Sequence, residues 1–143
     1  MAGDLHGTVA ARLEDVEQRY TTKRQALVDI LERAGRPLSI PEILQVVDLP
    51  QSSVYRNLSV LEQAGAVRRV LAADEFARYE LAEDLTEHHH HLICTTCGDV
   101  RDFTVSPELE GELDRALGRV ARDHGFSPDH HRLDLVGTCT SCA

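Results

Sequence analysis

His88-His89-His90-His91-Leu92-Ile93-Cys94-Thr95-Thr96-Cys97 decides how this chain is read, and Cys139-Thr140-Ser141-Cys142 answers it after 41 intervening residues. These four cysteines are the only ones in the chain. Two CxxC knuckles supply four thiolates to one tetrahedral Zn²⁺, a closed coordination sphere with no position left for a substrate. The predicted structural zinc ligands are Cys94, Cys97, Cys139 and Cys142. The histidines leading into the first knuckle add a second set of borderline-soft donors. On an extended segment, successive side chains point to opposite faces. His89 and His91 then share one face and His88 and His90 the other, so a single run can serve two sites.

The 143 residues fit one ordinary domain or two small ones. Hydrophobic residues make up 42% but aromatics only 4%, with no Trp, so small halves need a staple such as a structural zinc. No run of about 18 apolar residues is present, so no membrane helix is expected. The first 20 residues are polar and acidic without an apolar stretch, unlike a secretory signal. A cytoplasmic protein is expected, where paired CxxC knuckles bind zinc rather than form disulfides. The net charge of −9 divides into −4 over residues 1–85 and −5 over 86–143. That balance excludes a uniformly basic nucleic-acid binder, so any DNA contact has to come from a local basic face.

Upstream of the histidines, apolar spacing predicts helices over 8–19, Lys23–Ala34, Ser39–Val47 and from Gln51 or Ser52 to about Ala64. Thr21-Thr22 offers an N-cap to the second and Gly35 stops it; Ser39-Ile40-Pro41-Glu42 reads as a capping box for the third. Strands at Ala66–Leu71 and Phe76–Leu81, joined by residues 72–75, read as a hairpin, and 82–87 as a polar link. Downstream, strands are predicted near His90–Ile93, Asp99–Phe103 and His131–Val136, with a helix from Ser106-Pro107 to about His124. Three helices and a hairpin in that order form a winged helix-turn-helix, whose last helix enters the major groove. Its exposed side chains are predicted to be Gln51, Ser52, Ser53, Tyr55, Arg56 and Asn57, suited to phosphates and base edges. Arg68, Arg69 and Arg78 would come from the wing, and Arg19, Lys23 and Arg24 cluster at the entrance of the second helix.

Ser52-Ser53-Val54-Tyr55-Arg56-Asn57-Leu58, Ala64-Gly65-Ala66-Val67, Arg78-Tyr79-Glu80-Leu81, the histidine run with Cys94-Thr95-Thr96-Cys97-Gly98, His124-Gly125-Phe126 and Gly137-Thr138-Cys139-Thr140-Ser141-Cys142 occur in that order. Over roughly residues 12–142 the chain resembles the ferric uptake regulator family of bacterial metal-sensing repressors. The resemblance implies an α+β protein: a winged-helix DNA-binding domain over 1–82, a hinge at 83–87, and a small α/β dimerisation domain over 88–143 with a four-cysteine zinc site. It implies a homodimer that binds a double-stranded, palindromic DNA operator when a regulatory metal is held at the hinge, and so represses metal-uptake genes. The matching DNA-contact positions are Tyr55 and Arg56, with Arg19 and Thr21 near the entrance.

By family position, Glu80, His89 and His91 belong to the hinge site. His88, His90 and His131 belong to a second site, with Glu110 or Asp114 as its carboxylate. His6 and His124 read as non-ligands, and His130 is a weaker match than His131. The chain also departs from the family pattern. Arg36-Pro37-Leu38-Ser39 stands where iron-sensing members carry a histidine, Arg68 where zinc-sensing members carry an aspartate, and Ala82 near their cysteine. Asp74, Glu75, Glu83 and Asp84 are the candidates for a fourth hinge ligand. Imidazole with carboxylate suits Zn²⁺, Fe²⁺ or Mn²⁺. A peroxide-sensing repressor, and a zinc-ribbon or zinc-buffering protein without a DNA role, are the alternatives. There is no HExxH, no HxE…PCxxC pairing and no glycine-rich phosphate loop, so enzyme function is not expected.

Overall fold

The structure, a computed structural model, describes residues 2–72 and 76–143. The chain opens with α1 (Ala2–Asp15), α2 (Thr22–Ala34), β1 (Leu38–Ser39), α3 (Ile40–Leu44) and α4 (Gln51–Gln63), then β2 (Val67–Leu71) and β3 (Ala77–Leu81). A single 3₁₀ turn at Glu83–Leu85 leads to β4 (His90–Cys94), β5 (Val100–Phe103), α5 (Pro107–Asp123) and β6 (Asp134–Gly137).

Local chemistry sets the helix ends. The Thr21 hydroxyl accepts from the Arg24 amide, and Gly35, at φ 61°, turns the chain out of α2. Ser39 and Glu42 close the expected capping box, with the Ser39 amide donating to the Glu42 carboxylate at 3.0 Å. The cap of α4 differs from the sequence expectation: Pro50 occupies it without a side-chain bond, and Gln51 and Ser52 already lie inside the helix. Pro50 contributes a preset φ of −60° and a carbonyl that accepts from Ser53 and Val54. The first helix starts at Ala2 rather than residue 8, because Leu5 joins Val9 and Leu13 in the core.

Two sheets follow. The first runs β1-β3-β2, antiparallel throughout, and covers a core in which Val9, Leu13, Leu27, Val28, Ile43, Val54, Leu58 and Leu61 are fully buried. The second runs β5-β4-β6, with β4 antiparallel to β5 and parallel to β6. A parallel neighbour needs a crossover, which α5 provides. The apolar cluster beneath this sheet is small, formed by Val70, Ile93 and Val100. Leu109, Leu117 and Val120 on α5 and Leu135 and Val136 on β6 face outward, uncovered. Among the described residues, no helix is long and apolar enough to cross a membrane.

Candidate metal centres

The first centre forms where β4 and β6 end side by side. Cys94 closes β4, Gly98 at φ 75° turns the chain into β5, and β6 delivers the second knuckle beside the first. The Thr95 amide donates to the Gly137 carbonyl at 2.7 Å and locks the two knuckles together. All four thiols are unbridged, with sulfurs within 4.8 Å of one another. The amides of Cys97 and Cys139 point at the Cys94 sulfur and hold its thiol down at about 6. The bond to Cys139, together with burial, pushes Cys142 up to about 12. Four sulfurs packed this closely ionise together only around a cation, so the donor set fits Zn²⁺.

The second centre joins the two sheets. Glu80 comes from β3, His91 from β4, His89 from the residue before it, and Asp102 from β5, where it is paired with His91. One Glu80 oxygen, Oε2, lies 2.9 Å from His89 Nε2 and 3.1 Å from His91 Nε2. The other, Oε1, accepts from Arg68 Nε and Nη2, both at 2.7 Å. Arg68 thus fixes one oxygen and leaves the other to the imidazoles. Burial alone would raise the Glu80 pKa, but the bonds from His89 and His91 hold it well below the carboxylate range. The Glu80 bond, working against burial, raises His89 to about 9. Burial also raises Asp102. His89 Nδ1 bonds the Glu87 carbonyl at 2.8 Å, which leaves Nε2 for a ligand role. Asp102 Oδ1 is buried without a hydrogen-bond partner, 3.7 Å from His91 Nε2. An orphaned carboxylate oxygen at the mouth of two imidazoles is what a divalent cation would satisfy.

The third centre lies on the opposite face of the histidine run. His88, His90 and His131 direct Nε2 at one another and at the Glu110 carboxylate: His88 to His131 is 3.2 Å and His131 to Glu110 is 3.1 Å. Asp114 stands behind, 3.2 Å from His131 Nδ1, and Glu83 contacts His88 Nδ1. Of the two carboxylates expected here, Glu110 lies in the cluster with the three imidazoles, and Asp114 meets His131 at its other ring nitrogen.

The alternation of the run is as expected, and His124 and His130 stay outside the three centres. Other expectations need correction. Glu83 faces His88 and Arg68, and Asp84 pairs with Arg12 at 2.5 Å, so neither completes the hinge group; Asp74 and Glu75 lie outside the described residues. The fourth member, Asp102, was missed, although a signal was present. Cys94 pairs with Asp99 across the knuckle, and counting back along an antiparallel pair puts 102 opposite 91.

On α4, Gln51, Ser52, Tyr55 and Arg56 are exposed as expected, and so are Arg19 and Thr21. Ser53 and Asn57 are not available to DNA. Both are buried, with Asn57 bonded to the Ser53 carbonyl at 2.8 Å and to Arg24 Nε at 3.0 Å. Arg24 is itself spent on this strut and on the Arg19 carbonyl. In the wing, Arg78 is buried because β3 is the central strand, and Arg68 turns to Glu80; Arg69 stays exposed.

A winged helix-turn-helix joined to a sheet that carries a four-cysteine cluster, with a group of metal-ligand side chains where the two meet, defines a metal-responsive DNA-binding regulator. The model of the ferric uptake regulator family matches residues 15–136, and the chain belongs to that family. The ferric uptake regulation protein of Neisseria gonorrhoeae is 31% identical over 138 residues, 92% of this chain and 91% of its own. The peroxide-responsive repressor PerR of Staphylococcus aureus is 31% identical over 137 residues, 92% of this chain and 87% of its own. The solved structure of the Helicobacter pylori ferric uptake regulator shares the fold, with a TM-score of 0.77 at 24% identity over 99% of this chain and 93% of that one.

Proposed function

We propose that the chain is a metal-dependent transcriptional repressor that binds palindromic operators as a homodimer and controls metal-uptake genes. The observation that carries this is the hinge cluster. Glu80 belongs to the sheet of the winged helix, whereas His89, His91 and Asp102 belong to the other sheet or its entrance. A cation held by all four fixes one half of the molecule against the other. It favours DNA binding to the extent that it binds this arrangement better than a relaxed one. Zn²⁺ at Cys94, Cys97, Cys139 and Cys142 has a structural part. His88, His90, Glu110 and His131 form an additional divalent site. The uncovered apolar side chains of α5 and β6 support self-association.

Two imidazoles and two carboxylates without a thiolate form a set that suits Fe²⁺ or Mn²⁺ as well as Zn²⁺. The ferric uptake relative favours iron. Anisotropy titration onto the DNA upstream of its own gene, with chelator, Zn²⁺, Mn²⁺ or anaerobic Fe²⁺, tests the reading. Tight binding with one metal that chelator abolishes is the expected result; binding indifferent to metal overturns it.

Peroxide sensing is the second reading. It rests on a cavity of about 420 Å³, lined by Leu5, Leu31, Arg36, Leu81 and Thr104, that opens onto Glu80, His89 and Asp102. The cavity gives small solutes a route to His89. Mass spectrometry after peroxide treatment of the Fe²⁺ form separates the readings: an oxygen atom added to His89 or His91 supports peroxide sensing, and an unmodified peptide supports iron sensing.

A further inference from the structure

A fourth group of ligand atoms lies between α1 and α2, with Glu32 on the wall of the cavity beside His89. His6 on α1 and Asp29 and Glu32 on α2 bring an imidazole nitrogen and two carboxylate oxygens within 4.8 Å of one another. His6 Nε2 is 2.9 Å from Asp29 Oδ1, and its Nδ1 contacts the Tyr20 hydroxyl. We propose that His6, Asp29 and Glu32 form a divalent-cation site that fastens α1 to α2.

Three features support it. Asp29 and Glu32 stand three residues apart, on one face of α2, where two carboxylates repel unless a cation lies between them. The other ring nitrogen of His6 has its own partner. Tyr20 holds Nδ1, so Nε2 faces the carboxylates. Finally, the spacing repeats that of the hinge group, where imidazole Nε2 and carboxylate are also 2.9 Å apart.

One borderline imidazole and two hard carboxylates leave positions for water and suit Mn²⁺, Fe²⁺ or Zn²⁺. The His6 and Asp29 side chains are 40% and 41% exposed, so the ion would exchange with solvent, unlike one enclosed by four thiolates. A half-exposed His–Asp pair alone holds a helix only weakly. A cation there would steady a helix with two ties to the hinge. Leu5 walls the cavity beside His89, and Arg12 bonds Asp84 in the 3₁₀ turn and the Gly65 carbonyl.

The test uses the full chain with its thiolate zinc in place and His89→Ala/His91→Ala disabling the hinge group. Failure of the regulatory reading then leaves this result untouched. Bound Mn²⁺ is counted from the loss of the free-ion electron paramagnetic resonance signal, and hydrogen exchange follows the amides of residues 4–15. The proposal expects His6→Ala and Glu32→Gln each to bind one equivalent fewer, and Mn²⁺ to slow exchange in α1 only when both residues are intact. Glu32→Gln keeps the His6–Asp29 pair, so it decides the matter if His6→Ala releases the helix. Unchanged stoichiometry in Glu32→Gln, or α1 exchange indifferent to Mn²⁺, overturns the site and leaves an ion pair only.

Discussion

Arg68 shows how much of the hinge chemistry turns on single side chains. It grips one oxygen of Glu80 at 2.7 Å with two nitrogens and leaves the other to His89 and His91. Losing such an outer partner lowers metal affinity by about 10–100-fold. Arg68→Ala is therefore expected to shift the midpoint of metal titration by that factor while the fold stays intact by circular dichroism. Cysteine and histidine substitutions should part ways. Cys94→Ala lowers the thermal midpoint, because the small Val70–Ile93–Val100 cluster cannot hold the second sheet alone. His89→Ala abolishes metal-stimulated DNA binding without unfolding the protein. Equal effects of both on stability would sink the division into structural and regulatory centres. The alternation of the four histidines was legible because strand geometry is local. Asp102 escaped notice because its place depends on pairing between two strands.

Among the elements, the caps of α2 and α3 could be read directly, since Thr21, Gly35, Ser39 and Glu42 act within a few residues of themselves. The start of α1 could not. Gly3 and Gly7 lower helix propensity, and only packing of Leu5 against the core overrides them. Ser53 and Asn57 misled for a related reason, because the buried face of α4 is set by Arg24 on α2. Glu42 offers a pH test. Bonds from Ser39 and Arg36 outweigh the effect of burial and lower its pKa, so its contribution is present above the unfolded value and lost as pH falls through the folded one. Glu42→Gln is expected to lower stability by about 0.3–1 kcal/mol near neutrality. The gap should close in acid, as compared by urea midpoints. On α4, Tyr55 is 49% exposed. Tyr55→Ala is expected to cost about 1–3 kcal/mol of operator binding, and unchanged operator affinity would remove α4 from the recognition role.

At the scale of the whole molecule, β6 leaves one edge of its sheet open and turns Leu135 and Val136 outward at 54% and 63% exposure. Leu135→Asp is expected to move the protein from dimer to monomer in sedimentation equilibrium, and an unchanged mass would place the self-association surface elsewhere. The histidine tract has a consequence for heredity as well. Its four members are chemically identical, and the tract is held in register from its knuckle end by β4. Copying slippage that drops any one histidine codon therefore has a single outcome: positions 89, 90 and 91 stay filled, and Glu87 moves up into place 88. The side chain forfeited is the most solvent-exposed of the four, 34% against 9%, 0% and 3%. Loss of one histidine from the run thus spares the pair facing Glu80.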